Sequence, residues 1–208
     1  EVVPFDLLDF DVAPAVVAKA ISFFGKIDVL VNNGGISQRS LIAETDFAVD
    51  KKIMDVDYFG TIALTKALLP HFIQNQSGHY VTVTSLMGKF GSPYRSGYCA
   101  AKHALHGYFD VMRMEHEKDG VAVTLVCPGF VQTNVAINAL TADGSPQVKN
   151  SETTANGMLL ADFIPKMVRA IEQKKFEVYI GKKEVLGIYL KRFLPKFLHT
   201  VVMKSKVN

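Results

Sequence analysis

Tyr98 and Lys102 stand four residues apart in a stretch, Gly97 to Lys118, whose spacing of apolar and small residues predicts a helix. Both side chains then leave one face, a turn apart. A tyrosine hydroxyl ordinarily titrates near pH 10, too high for ready proton exchange at neutral pH, and an adjacent ammonium moves a phenol toward ionisation. The pair has the chemistry of a general acid/base and the cation that tunes it, although Tyr and Lys at this spacing are also common on plain helix surfaces. Ser85, thirteen residues before Tyr98, follows the β-branched run His79 to Thr84 and offers a hydroxyl able to hold a substrate oxygen. Asn32-Asn33-Gly34-Gly35 follows the apolar run Ile27 to Val31, and its glycines let backbone approach a flat ligand closely. Pro128-Gly129 closes a third run, Val121 to Cys127, with Thr133 four residues beyond Gly129.

These groups need a scaffold that brings them together. Pro14 to Phe24 reads as an amphipathic helix stopped by Gly25, Phe47 to Phe72 as a long helix, Leu160 to Lys174 as another, and Phe176 to Ile180 as a last strand. Ile27 to Val31 reads as a buried parallel strand. Strands alternating with helices imply βαβ units, hence one α/β domain over residues 1–208: a three-layer parallel sheet with helices on both faces. Ligand sites in such sheets form outside the carboxyl ends of the strands, which is where the motifs above fall. Residues 130–158 lack a long periodic run and read as an extended loop over the site. Residues 184–208 combine apolar Leu186, Tyr189, Phe193 and Phe197 with Lys191, Arg192, Lys196, Lys204 and Lys206. They read either as a terminal helical cover for the sheet or a neighbouring subunit, or as a basic amphipathic contact with a membrane surface.

Composition narrows the function. The chain has 208 residues, 49% hydrophobic and 21% charged, with a formal net charge of +3. No window approaches the roughly 18 apolar residues of a membrane span, and the small, scattered charge argues against nucleic acid as the main partner. Two cysteines cannot build a disulfide framework, so a reducing, cytoplasmic compartment is expected. Cys99 and Cys127 read as small packing residues. The six histidines show no metal-ligand spacing and read as surface or helix residues, so no metal site is expected. Asn75-Gln76-Ser77 is a formal glycosylation acceptor that nothing else supports.

Taken together, Asn32-Asn33-Gly34-Gly35, Ser85, Tyr98-Cys99-Ala100-Ala101-Lys102 and Pro128-Gly129 with Thr133 resemble the short-chain dehydrogenase/reductase family, single-domain Rossmann-type oxidoreductases. The stretches from Asn33 to Ser40 and from Asn138 to Ser145 resemble its member 7 and 7B subgroup more narrowly. The resemblance implies hydride transfer between a nicotinamide cofactor, NADP(H) ahead of NAD(H), and a small apolar alcohol or carbonyl compound. It implies catalytic roles for Ser85, Tyr98 and Lys102, with Asp57 standing where the family usually has an Asn. It also implies cofactor contacts at Asp6, Leu7, Asn33, Gly34, Gly35, Tyr98, Lys102, Pro128, Gly129, Val131 and Thr133, and a homodimer or homotetramer. Asp9 and Asp11 nearby leave a plain polar loop or helix entry as the alternative reading of Asp6. The family's Gly-rich turn has no counterpart here, and the start at Glu1-Val2-Val3-Pro4 reads as a cut inside the domain, so a first βαβ portion is expected to be missing. A short, non-catalytic form that binds a partner is the alternative reading.

Overall fold

A computed structural model of the chain describes residues 1–149 and 152–205. Asn150 and Ser151 of the expected loop, and Lys206 to Asn208 of the C-terminal segment, lie outside the described residues. Four parallel strands, β1 (Val29–Asn32), β2 (Gly78–Val83), β3 (Val121–Pro128) and β4 (Glu177–Ile180), pair in the order 1-2-3-4. Helices α1 (Ala13–Phe24), α2 (Phe47–Met54), α3 (Thr61–Asn75), α4 (Ser96–His116), α5 (Glu152–Ala155), α6 (Leu160–Glu172), α7 (Leu186–Phe193) and α8 (Pro195–Lys204) connect and flank them.

The period-2 alternation of the strands divides the core. Tyr80, Val123 and Leu125 face α3 and α4, where they pack on Leu68, Phe72, Leu105 and Phe109. Their neighbours Val81, Val126 and Ile180 face the other way, onto Phe163 and Met167 of α6. The sheet is thus covered on both faces at β2 and β3, as their β-branched runs require. The architecture is the doubly covered α/β sheet expected.

Three elements differ from the sequence reading. The strand expected to be buried throughout, β1, has Val29 and Val31 41% and 42% exposed, because α6 covers only the later strands and no described element lies over that face of β1. The long helix expected over 47–72 is interrupted by a π-helical turn at Asp55–Gly60, which divides α2 from α3. Among the described residues of 130–158 the one helix is α5, but the segment is pinned rather than loosely draped. Leu140 donates its N–H to Ser37 O at 2.8 Å, accepts from Arg39 N at 2.8 Å, and packs on Val49, Ile53 and Ala101.

The histidine reading also changes. His79 is buried on β2 with Nε2 2.8 Å from Thr124 Oγ1. His106 of α4 converges with Cys127 and Glu177, their ligand atoms within 4.8 Å of one another, although no sequence spacing shows it. Lys89 occupies the Glu177 carboxylate at 2.8 Å, so this group is a compact ion-paired cluster under the end of β3. Burial pushes His106 down to about 4 and the Cys127 thiol up to about 12. Below about pH 6.5 an unfolded chain protonates His106 whereas the native one does not, so stability must fall as the pH drops toward about 4. The loss approaches about 3 kcal/mol. Chemical denaturation at pH 7 and pH 4.5 is expected to show this drop in the wild type and a markedly smaller one in His106→Leu.

Candidate active site

The carboxyl ends of β1, β2 and β3 meet the N-terminal half of α4, and the chemistry collects there. Lys102 is buried on α4, with Nζ 3.2 Å from Asp57 Oδ2 and donating to Val83 O at 3.4 Å, at the end of β2. The contact with Oδ2 is an ion pair without hydrogen-bond alignment, so that oxygen has no hydrogen-bond donor among the described residues. Asp57 Oδ1 accepts from Ile36 N at 2.7 Å, tying the turn after β1 to the same carboxylate. Gly35 lies against this group: a Cβ there would stand 3.1 Å from Asp57 Oδ1.

Asp57 is completely buried because the π turn carries it. A π turn accommodates an extra residue in the helix and commonly marks a functional position. Burial pushes the Asp57 carboxyl up, opposed by the Lys102 ammonium and the Ile36 N–H. Burial works to lower Lys102, yet the Asp57 carboxylate and the Tyr98 oxygen hold its ammonium above its usual range.

Tyr98 and Ser85 share the wall of a cavity of about 420 Å³. The Lys102 ammonium is 5.6 Å from the Tyr98 ring centroid. Ser85 Oγ accepts from Met87 N at 3.1 Å, which leaves its own O–H to donate elsewhere. Pro128, Gly129 and Val131 line the same cavity. Asn33, Gly34 and Gly35 are exposed at the end of β1. Leu7 packs on Gly34 of this edge, since a Cβ there would stand 2.7 Å from Leu7 Cδ1. Asp6 is exposed and its Oδ1 accepts from Leu8 N at 2.9 Å, a local turn. Thr133 is exposed and its Oγ1 accepts from Val135 N at 3.4 Å.

Sequence reasoning missed three side chains. Gln38 is fully buried: its Oε1 accepts from Gly97 N at 2.9 Å, and its Nε2 donates to Ser40 Oγ, Thr45 Oγ1 and Ser96 Oγ at 3.2, 3.0 and 3.3 Å. It thus supplies an acceptor for one of the orphan N–H groups at the start of α4, one residue before Tyr98. Arg39 and Arg95 line the cavity with Tyr98. Burial, then the neighbouring Arg95 charge, brings Arg39 down to about 10. The string Ser37-Gln38-Arg39-Ser40 carries no local mark of this, because polar side chains in a loop are ordinarily solvated.

A family model described as short chain dehydrogenase matches residues 1–143. The chain belongs to the short-chain dehydrogenase family. It groups there with the dehydrogenase/reductase SDR member 7 proteins. Member 7B of Mus musculus is 40% identical over 195 residues, 93% of this chain and 60% of that protein. A member 7-like protein of Drosophila melanogaster is 36% identical over 208 residues, 100% of this chain and 64% of that protein. The chain therefore spans about 60% of the length of such curated relatives. Among solved structures, a short-chain dehydrogenase from Streptomyces avermitilis has the same fold, with TM-score 0.80 at 23% identity, covering 99% of this chain and 82% of that one. An NADPH-bound variant of ElxO is 30% identical with TM-score 0.59, over 61% of this chain and 52% of that one.

Two substitutions separate scaffold from chemistry at this site of a short-chain dehydrogenase. Gln38→Leu leaves Gly97 N buried without an acceptor and is expected to cost about 2 kcal/mol. In the natural protein it should also lower kcat more than it raises KM; thermal melts and steady-state kinetics check both. Asp57→Asn keeps an acceptor for Ile36 N but removes the counter-charge of Lys102, whose pKa must then fall. The expected outcome is a lower thermal midpoint and a pH–rate profile displaced from that of the wild type, measured across pH 5 to 10.

Proposed function

We propose that the protein is an oxidoreductase that interconverts an alcohol and a carbonyl compound with NADP(H), Tyr98 being the acid/base. The observation that carries this reading is the convergence of Tyr98 and Ser85 on one cavity wall, with Lys102 fixed behind them by the buried Asp57 carboxylate. The residues present fit the nicotinamide end of such a cofactor. Exposed Asn33, Gly34 and Gly35 form an open backbone edge on the turn that Ile36 N ties to Asp57, and the Lys102 ammonium has three donors, of which the one aligned among the described residues goes to Val83 O. They do not include a Gly-rich turn for the pyrophosphate. A bound nicotinamide would supply or accept the hydride.

The protein's own groups do the rest. Ser85 O–H donates to the substrate oxygen, held in place because Met87 N already occupies Ser85 Oγ as donor. Tyr98 O–H gives that oxygen its proton in reduction and takes it back in oxidation. Lys102 keeps positive charge beside the Tyr98 ring, and Asp57 positions Lys102. The NADPH bound to the ElxO variant supports NADP(H) as the partner. For the substrate, the wall formed by Leu86, Phe90, Val131 and Leu198 suits an apolar body, while Arg39 and Arg95 favour one with an oxygen-rich or anionic group near the reacting carbon.

Tyr98→Phe removes the transferable proton and keeps the ring. In the natural protein, turnover of a carbonyl substrate with NADPH should fall at least about 100-fold while NADPH binding is retained. Undiminished turnover would remove Tyr98 from the acid/base role.

A further inference from the structure

Pro195 divides the C-terminal segment into two short helices whose outward sides carry the same spacing of large apolar residues. On α7 these are Leu186, Tyr189 and Phe193, and on α8 Leu194 at its start, Phe197 and Val201. Each set recurs at i, i+3, i+7, one face of a helix. All are exposed, Phe193 by 74% and Phe197 by 56%. The opposite sides are spent on packing: Leu198 and Val202 lie against Leu86, Phe90 and Cys127, and Gly187 leaves room for the Phe90 ring.

Charge decides what suits the outward side. Residues 182–205 contain Lys182, Lys183, Lys191, Arg192, Lys196 and Lys204 against a single carboxylate side chain, Glu184. That carboxylate is turned inward, where Oε1 accepts from Phe130 N at 3.2 Å. Lys191, Arg192 and Lys196 are exposed and make no ion pair among the described residues. A second copy docked face to face would set these cations against one another, whereas an anionic surface would neutralise them and bury the apolar stripes. No helix of the described residues is long and apolar enough to cross a membrane. Two short amphipathic helices with aromatic stripes flanked by Lys and Arg are suited instead to lie in the headgroup layer.

We propose that α7 and α8 form a docking surface for an anionic lipid bilayer. The consequence for the cavity is direct: Leu186 and Val201 belong both to the exposed stripes and to the cavity wall, and Leu190 and Leu198 continue that wall inward. The lipid-facing side and the wall of the cavity that holds Ser85 and Tyr98 thus share apolar residues, which suits entry of a lipid-soluble compound from the bilayer.

The test is co-sedimentation of the natural protein with vesicles of phosphatidylcholine alone or of phosphatidylcholine with 30% phosphatidylserine, with any membrane-spanning segment of that protein deleted. Three basic groups near an anionic surface raise partitioning on the order of 100-fold. The wild type should therefore prefer the anionic vesicles strongly, and less so in 0.5 M salt. Phe193→Asp with Phe197→Asp should lose at least about 10-fold on both vesicles. Lys191→Gln with Arg192→Gln and Lys196→Gln should lose the preference while its far-UV circular dichroism stays that of the wild type. Absence of vesicle binding by the wild type, binding equal on both vesicles, or binding unchanged in the basic-residue variant each overturns the proposal. A micromolar dimer in sedimentation velocity that the Phe substitutions abolish, without vesicle binding, assigns the face to a second copy instead.

Discussion

A carboxylate removed from water needs partners, and in this protein Asp57 and its partners come from three separate parts of the chain. Ile36 N comes from the turn after β1, Lys102 from the middle of α4, and Asp57 itself from the break between α2 and α3. Each of the three is fixed by the other two. An unpaired charge at this depth would cost several kcal/mol, so the turn, the helix and the break cannot relax independently. The orientation of Tyr98 is a by-product of that constraint, since it sits one turn before Lys102 on a helix that the ion pair holds in rotation and that Gln38 holds at its start.

The C-terminal helices are tied to the same edge by a second carboxylate contact, at the half-buried Glu184. Glu184 reaches between Gly129 and Gly181, and a Cβ at Gly129 would collide with its Oε1. The Pro-Gly at the end of β3 therefore has a packing reason to be glycine, whatever its contact with a ligand. Through it the floor of the cavity, the strand end and the start of α7 form one connected body.

Much of this was legible in the sequence where chemistry and local geometry coincide. Tyr98 and Lys102 share a helix face by spacing alone, Ser85 and Gly34-Gly35 announce strand ends, and the alternation of apolar strands with helices specifies a sheet covered twice. The remainder depended on who the neighbours are. Val29 and Val31 have the composition of buried strand residues, and only the reach of α6 leaves them bare. His106, Cys127 and Glu177 come from a helix and two strands, so no spacing could bring them together. Gln38 looks like any loop polar residue until its four partners surround it. Asp57 was conspicuous as a departure from the family pattern, but an uninterrupted helix over 47–72 gave no reason for its burial.

The π turn at Asp55–Gly60 also sets a phase. Val49 and Ile53 before it pack on Ala101 and Leu140, while Leu68 and Phe72 after it pack under Tyr80, and all belong to one continuous rod. Each residue added to or taken from an α-helix turns everything beyond it by about 100°. Loss of a single residue in this turn would restore a regular helix and swing Leu68 and Phe72 away from the sheet relative to Val49 and Ile53. The length of the segment is thus constrained as tightly as its composition, and the rod tolerates substitution along its solvent side far better than any change in count.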